Sequence, residues 1–385
     1  MNAMMNPMNA QTHEIFFHDI LPYAIEKSRF YRRLLSSCSK EEDFFSLPFT
    51  DAKDLSLHHG EMLCGSLGEI ARIRSFYTSG SSAPPKRVFF DAQDMERTIR
   101  FFSSGMESIA PPRRLVLILF SDQKPGSIAS LLKEALERIG REALIIGRPS
   151  SSESLEKILS KAGCIVAMPA DAYYLCRKFP RLRPDSVLLS ADYIPLSIRR
   201  GIERIWNTKV FEHYGLSESC YGLAVQCAHR RNMHIRNRDF YLELIDPKTL
   251  LPLPPGRQGE IVISSLQKSA LPFIRYRTGD LGELHLEHCA CGCFLPSLKR
   301  VYGRIENLSQ PLNIHYLDEI LFSEPGLFSY RAELSEEKLF LYIEGERIAE
   351  NTLRERIGFP LQIVYEECPP WKEAGKRKLL RTGSS

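Results

Sequence analysis

The sequence predicts an α/β protein with a large layered N-terminal α/β domain, a β-rich subdomain within it, and a small α+β C-terminal domain joined by a hinge. Three observations carry this. Short apolar runs alternate with amphipathic segments between about 88 and 210; a Pro/Gly-punctuated β pattern runs from about 240 to 305; and a hairpin, a helix and one more strand pattern follow. The chain of 385 residues has the length for one large domain and a small one, with a sizeable buried core. The expected division is 1–304, with its β-rich part at about 235–304, and 305–385.

The elements follow in chain order. Residues 14–36, "IFFHDILPYAIEKSRFYRRLL" and its flanks, have apolar residues at helical spacing, and "FFSLPFTDAKDL" follows a polar turn. "RLVLILF", "REALIIG", "AGCIVAMP" and "DSVLLSAD" read as buried strands, with "SIASLLKEALERIG", "SESLEKILSKAG" and "LSIRRGIERIWN" as helices between them. That alternation predicts a largely parallel sheet. "DFYLELI", "GEIVISSL" and "FIRYRTGDLGELHLE" read as β, interrupted by the turn-rich "DPKTLLPLPPGRQG". "YRAELSEEKLFLYIEG" is a hairpin pattern, and "LQIVYEE" closes the series after a helix.

Composition excludes several classes. A net charge of +4 without a basic block leaves no nucleic-acid or membrane-surface footprint. No apolar run approaches the ~20 residues of a membrane span, and the Met/Asn-rich start lacks the pattern of a signal peptide. Ten cysteines in a chain of this size do not make a secreted disulfide scaffold, so a cytoplasmic location is expected.

Four stretches carry chemistry. "YTSGSSAPPKRVFF" sets Thr78, Ser79, Gly80, Ser81 and Ser82 before Lys86. Small residues let backbone N–H groups approach an anion, hydroxyls add donors and the lysine adds charge. The Gly-Lys-Ser/Thr ending of the common phosphate loop is missing. "FEHYGLSESCYG" places His213, Tyr214 and Gly215 just before Ser217 and Glu218. An aromatic beside glycine can stack on a base, and the carboxylate can hold Mg²⁺. "LPFIRYRTGDLGEL" puts Asp280 where a carboxylate can accept two ribose hydroxyls, and "YGRIENL" brings Arg304 to the expected hinge.

In this order the four resemble the adenylate-forming superfamily of acyl-CoA synthetases, firefly luciferase and peptide-synthetase adenylation domains. "SRFYRRLL", "SLPFTDAKDL", "ALPFIRYRTGDL" and the Cys-rich "CACG" before "GR" are similar to the phenylacetate–CoA ligase branch, from about residue 20 to the end. The resemblance implies that residues 78–82 form a loop over the ATP phosphates. It also implies that Tyr214 stacks on adenine in a slot with Ser190 and Ala191, and that Ser217 approaches the α-phosphate. Glu218 then binds Mg²⁺, Asp280 holds the ribose, and Arg304 contacts ribose or phosphate. "KEAGKRKLLR" is similar to the family's final Gly-Lys motif, which makes Lys376 the catalytic lysine, with Lys378 as its rival. The implied reaction activates a carboxylic acid, aromatic by analogy with the branch, to an acyl-adenylate with pyrophosphate release. Coenzyme A then takes the acyl group. Phe101, Phe102, Tyr193 and Tyr221 are candidate linings of the acid slot, and a homodimer is the branch's expectation.

Ala83 stands where the family usually has glycine, Glu306 replaces the usual aspartate, and the C-terminal domain is short for the family. These departures leave two other readings open. One is adenylation with transfer to a carrier-protein thiol or an amine; the other is a nucleotide-binding protein with impaired catalysis.

"HCACGC" resembles the Cys-x-Cys-Gly element of the branch, and "QCAHRRNMH" lies upstream. Two close thiols plus a distant Cys/His pair is the arithmetic of a structural Zn²⁺ site. The expected ligands are Cys227, His234, Cys289 and Cys291, with His229 and Cys293 as substitutes. The alternative is a set of free thiols.

Overall fold

The computed structural model describes residues 8–36, 44–76, 85–122, 124–148, 153–372 and 376–381. It divides into two compact units, Met1–Ser104 with Tyr214–Ile305, and Gly105–His213 with Glu306–Ser385. The expected single break near 304 is thus one of three. The C-terminal segment shares a unit with 105–213 because the two bury their apolar faces in a common core.

The first unit is built on an antiparallel sheet in the order Phe240–Ile245, Gln258–Ser265, Tyr276–His285, Ser297–Arg304, Met233–Ile235, Ala224–Gln226. The N-terminal helical pattern is segmented: Leu21–Lys27 ends at Ser28, which takes extended backbone and caps Arg29–Leu34 through its Oγ and the Tyr31 N–H at 3.2 Å. Periodicity alone did not reveal that break, because serine at an N-cap keeps the apolar spacing almost in phase. In "FTDAKDL", Asp51 and Asp54 form a capping box on the helix Ala52–Met62. The preceding loop is tied to the sheet by Arg275, which donates to the Phe45 and Leu47 carbonyls and pairs with Glu243 at 2.9 and 3.0 Å. Removing one partner of this fully buried pair would cost about 3–5 kcal/mol.

The second unit has a parallel sheet in the order Lys209–Tyr214, Ser186–Leu189, Ala162–Ala167, Leu115–Ile118, Ala143–Ile145. These strands are the apolar runs of the sequence; Ala162–Ala167 and Ser186–Leu189 are buried at every position. The helices Pro169–Lys178 and Leu196–Trp206 place Tyr173, Leu175, Ile202 and Trp206 in the core. A four-stranded sheet, Leu361–Tyr365, Leu339–Gly345, Leu327–Leu334, Leu380–Arg381, joins the same core through Leu327, Leu341 and Ile343. Its central pair is the hairpin read from "YRAELSEEKLFLYIEG".

Candidate functional site

In the first unit, the strands Tyr276–His285 and Ser297–Arg304 set Asp280 directly opposite Arg304. Arg304 Nε lies 2.9 Å from Asp280 Oδ1, and its Nη1 donates to the Thr278 carbonyl at 2.7 Å. The Tyr214 hydroxyl donates to Asp280 Oδ2 at 2.7 Å. Gly279 has φ +74°, and a Cβ there would come within 3.2 Å of Arg304 Nη1, so this turn of "TGD" requires glycine. The Asp280 charge holds the Arg304 guanidinium firmly protonated, while burial and then Asp280 push the Tyr214 hydroxyl well above its ordinary range.

Glu218 lies in the turn that follows Tyr214 and is buried. Its Oε1 accepts the Tyr276 hydroxyl at 2.8 Å and lies 3.3 Å from Lys86 Nζ. Burial pushes this carboxyl up, but Lys86, Arg304 and the Tyr276 hydroxyl outweigh it, and the group titrates below the usual carboxylate range. The Arg304 charge thus acts on both Asp280 and Glu218. The turn itself is held by Arg236, whose Nη1 donates to Thr98 Oγ1 at 3.1 Å and to the Gly222 carbonyl at 3.3 Å. Cys220 and Tyr221 take left-handed backbone here, at φ 49° and 71°, a conformation that concentrates at functional sites. Ser217 and Gly215 are half-buried beside Glu218.

In the second unit, Ser190 Oγ and His213 Nδ1 are 2.7 Å apart, and burial lowers His213 to about 4, so its ring is neutral at physiological pH. Ala191 has φ 71°. Lys376 is exposed, while the next residue is anchored: the Arg377 N–H donates to Asp192 Oδ2 at 3.0 Å and its Nε to Asp318 Oδ1 at 3.0 Å. Tyr330 also donates to Asp318 Oδ1, at 2.7 Å. The candidate catalytic lysine is therefore held one residue from a backbone tie to the segment that carries Ser190 and Ala191.

Of the acid-slot candidates, Tyr221 is buried, Tyr193 donates to Glu319 at 3.1 Å, and a Cβ on Gly222 would meet Phe101 and Phe102. Thr78, Ser79, Gly80, Ser81, Ser82 and Ala83 lie outside the described residues.

The fourth cluster is thiol-rich. Ligand atoms of Cys227, His234, Cys289 and Cys291 all lie within 4.8 Å of one another. Cys227 Sγ is 3.6 Å from Cys289 Sγ, and Cys291 Sγ is 3.4 Å from His234 Nε2. A tetrahedral ion with Zn–S of about 2.3 Å and Zn–N of about 2.0–2.1 Å spaces its donors roughly 3.5–3.8 Å apart, so the set fits. His234 stands opposite Ser297 in the sheet, and Cys289 and Cys291 occupy the loop between Tyr276–His285 and Ser297–Arg304. His229 and Cys293 are not in the set; the Cys293 carbonyl instead accepts the Cys289 N–H at 2.9 Å and closes the loop.

Sequence reasoning missed Tyr276, Thr278, Arg236, Arg377, Asp192 and Asp318. Two had a signal: Tyr276, Thr278 and Asp280 alternate along one strand and so share a face.

No family model matches the chain. It is 35% identical over 310 residues to the phenylacetate–coenzyme A ligase of Escherichia coli K12, covering 75% of this chain and 68% of that one. It is 26% identical over 309 residues to the enzyme of the same description from Thermus thermophilus, with the same shares of 75% and 68%. Among solved structures, a 2-hydroxyisobutyryl-CoA ligase in its postadenylation state superposes with a TM-score of 0.77 at 20% identity, over 95% of this chain and 88% of that one. The o-succinylbenzoate coenzyme A synthetase of Bacillus subtilis with AMP gives 0.50 at 17% identity, over 79% and 69%. At such identities the structural likeness speaks to the fold. Among the described residues, no helix is long and apolar enough to cross a membrane.

Proposed function

The chain belongs to the phenylacetate–coenzyme A ligase family of AMP-forming acid–CoA ligases, and we propose that its own reaction joins an aromatic carboxylic acid to coenzyme A through an acyl-adenylate. The observation that carries this reading is the Asp280 carboxylate held between Tyr214 and Arg304. A carboxylate offers about four acceptor sites; these two neighbours occupy two, and the others are left for the ribose hydroxyls. Tyr214, oriented by the same bond, presents its ring to adenine; Ser190, Ala191 and His213 are further proposed nucleotide contacts. The neutral His213 keeps positive charge away from the base.

Glu218 fits a hard divalent cation: it is a buried carboxylate that stays ionised. When bound there, Mg²⁺ withdraws charge from the phosphate oxygens. Ser217 approaches the α-phosphate, and residues 78–82 cover the leaving phosphates. Lys376 brings a cation to the charge that builds as pyrophosphate departs. Residues 305–385 carry this lysine, and the thiol of coenzyme A takes the acyl group from the acyl-adenylate after pyrophosphate has left.

ATP–pyrophosphate exchange with a panel of aryl and alkyl acids tests this reading. Exchange should require an acid and be strongest with aryl acids, and AMP release should accelerate when coenzyme A is added. Silence across the panel would sink the activity.

We also propose that the Cys227, His234, Cys289 and Cys291 set holds one structural zinc ion, which staples the loop between the Asp280 and Arg304 strands to the strand of His234. Three sulfurs and an imidazole suit zinc. Elemental analysis should give about one zinc per chain. Chelation, or Cys289→Ser, should lower the melting temperature by roughly 5–15 °C, since such sites contribute several kcal/mol to folding. A metal-free preparation with an unchanged melting curve would leave the free-thiol reading. A homodimer, carried over from the branch, and a cytoplasmic location, carried over from the composition, remain proposals, and sedimentation would decide the first.

A further inference from the structure

This inference rests on the proposal that Glu218 holds the divalent cation, and it concerns what occupies that carboxylate before nucleotide arrives. Lys86 and Glu218 have side chains only 4% and 5% exposed, with Nζ 3.3 Å from Oε1. The same oxygen takes the Tyr276 hydroxyl at 2.8 Å, and the ammonium stands 5.2 Å from the Phe76 ring centre. Lys86 is thus turned inward onto the metal-binding carboxylate.

Magnesium approaches a carboxylate oxygen to about 2.0–2.1 Å. With Lys86 in place, a metal on Oε1 would face an ammonium within a few ångströms, with little water between them to screen the repulsion. Nucleotide phosphates remove that conflict, because they supply anionic oxygens for both cations. We infer that Lys86 is the resident countercation of the empty metal site. It neutralises Glu218 until phosphates arrive, then moves to a phosphate oxygen as the carboxylate takes the metal. The metal therefore enters with the nucleotide and not ahead of it. When pyrophosphate leaves, the Lys86–Glu218 pair re-forms, so the acyl-adenylate stage keeps no metal on this carboxylate.

Mn²⁺ binding, followed by electron paramagnetic resonance on the full chain, tests this. Wild-type protein should show no saturable binding at about 1 mM Mn²⁺ alone, and one site when a non-hydrolysable ATP analogue is added. Lys86→Met should bind Mn²⁺ without nucleotide at least roughly tenfold more tightly than wild type, because the competing charge is gone. Lys86→Arg should behave as wild type. Adding Glu218→Gln to Lys86→Met should abolish the gained site and so locate it. Equal Mn²⁺ affinity of the wild type with and without the analogue would overturn the inference, as would a Lys86→Met protein that gains nothing. If Lys86→Met does not fold, the two wild-type titrations decide. If the analogue does not bind, the nucleotide reading fails, and the Lys86→Met comparison still decides.

Discussion

Lys376→Ala is expected to lower acid-dependent ATP–pyrophosphate exchange by roughly 10²–10³-fold, the range lost when one preorganised transition-state charge partner is removed. Its melting temperature should match wild type, because Lys376 is exposed. The thioester step, started from supplied acyl-adenylate, should change little, since the lysine acts on departing pyrophosphate. The neighbour gives the contrast. Arg377 is the anchor, with its guanidinium on Asp318 at 3.0 Å and 4.3 Å from the centre of the Tyr330 ring. Burial holds Asp318 up at about 6 even with that partner. Arg377→Met strands the carboxylate, which should lower stability by about 3–5 kcal/mol and reduce both half-reactions together. Lys378 is also exposed, and Lys378→Ala should leave exchange close to wild type. If Lys378→Ala is inactive and Lys376→Ala retains exchange, the catalytic lysine has been misassigned.

The contrast between Lys376 and Arg377 also shows what could be read from the chain and what could not. The order of apolar runs was sufficient for the parallel sheet, because a strand buried on both faces must be apolar throughout; Ala162–Ala167 obeys this. The clustering of Cys227, His234, Cys289 and Cys291 was legible because ligand chemistry is carried by residue type and local spacing. Four residues of "KEAGKRKLLR" beyond its first are cations, and nothing in that string says which one turns inward. That depends on Asp192 and Asp318, far away in sequence. The grouping of 306–385 with 105–213 was hidden for the same reason. It depends on which apolar face of Pro169–Lys178 meets Leu327–Leu334, and composition does not encode facing. The pairing of Lys86 with Glu218 joins two motifs that had been given separate roles, and only the folded register brings them together.

Asp280→Ala should weaken ATP binding by roughly 10²–10⁴-fold, as two hydrogen bonds to a charged acceptor are lost at about 1.5–3 kcal/mol each. The signature is nucleotide selectivity. Wild-type protein should discriminate strongly against 2′-deoxy- and 3′-deoxy-ATP. The variant should bind all three nucleotides about equally, because the group that reads the hydroxyls is gone. Part of the loss will be structural: without Asp280 the Tyr214 hydroxyl loses its acceptor and Arg304 its counterion, which should lower stability by about 1–3 kcal/mol. Tyr214→Phe separates the two contributions. It removes one tie to Asp280 while keeping the ring and the carboxylate, so deoxynucleotide discrimination should survive with affinity reduced by roughly tenfold or less. Should Asp280→Ala still discriminate against deoxynucleotides as wild type does, the ribose is read elsewhere, and Asp280 only fixes Arg304.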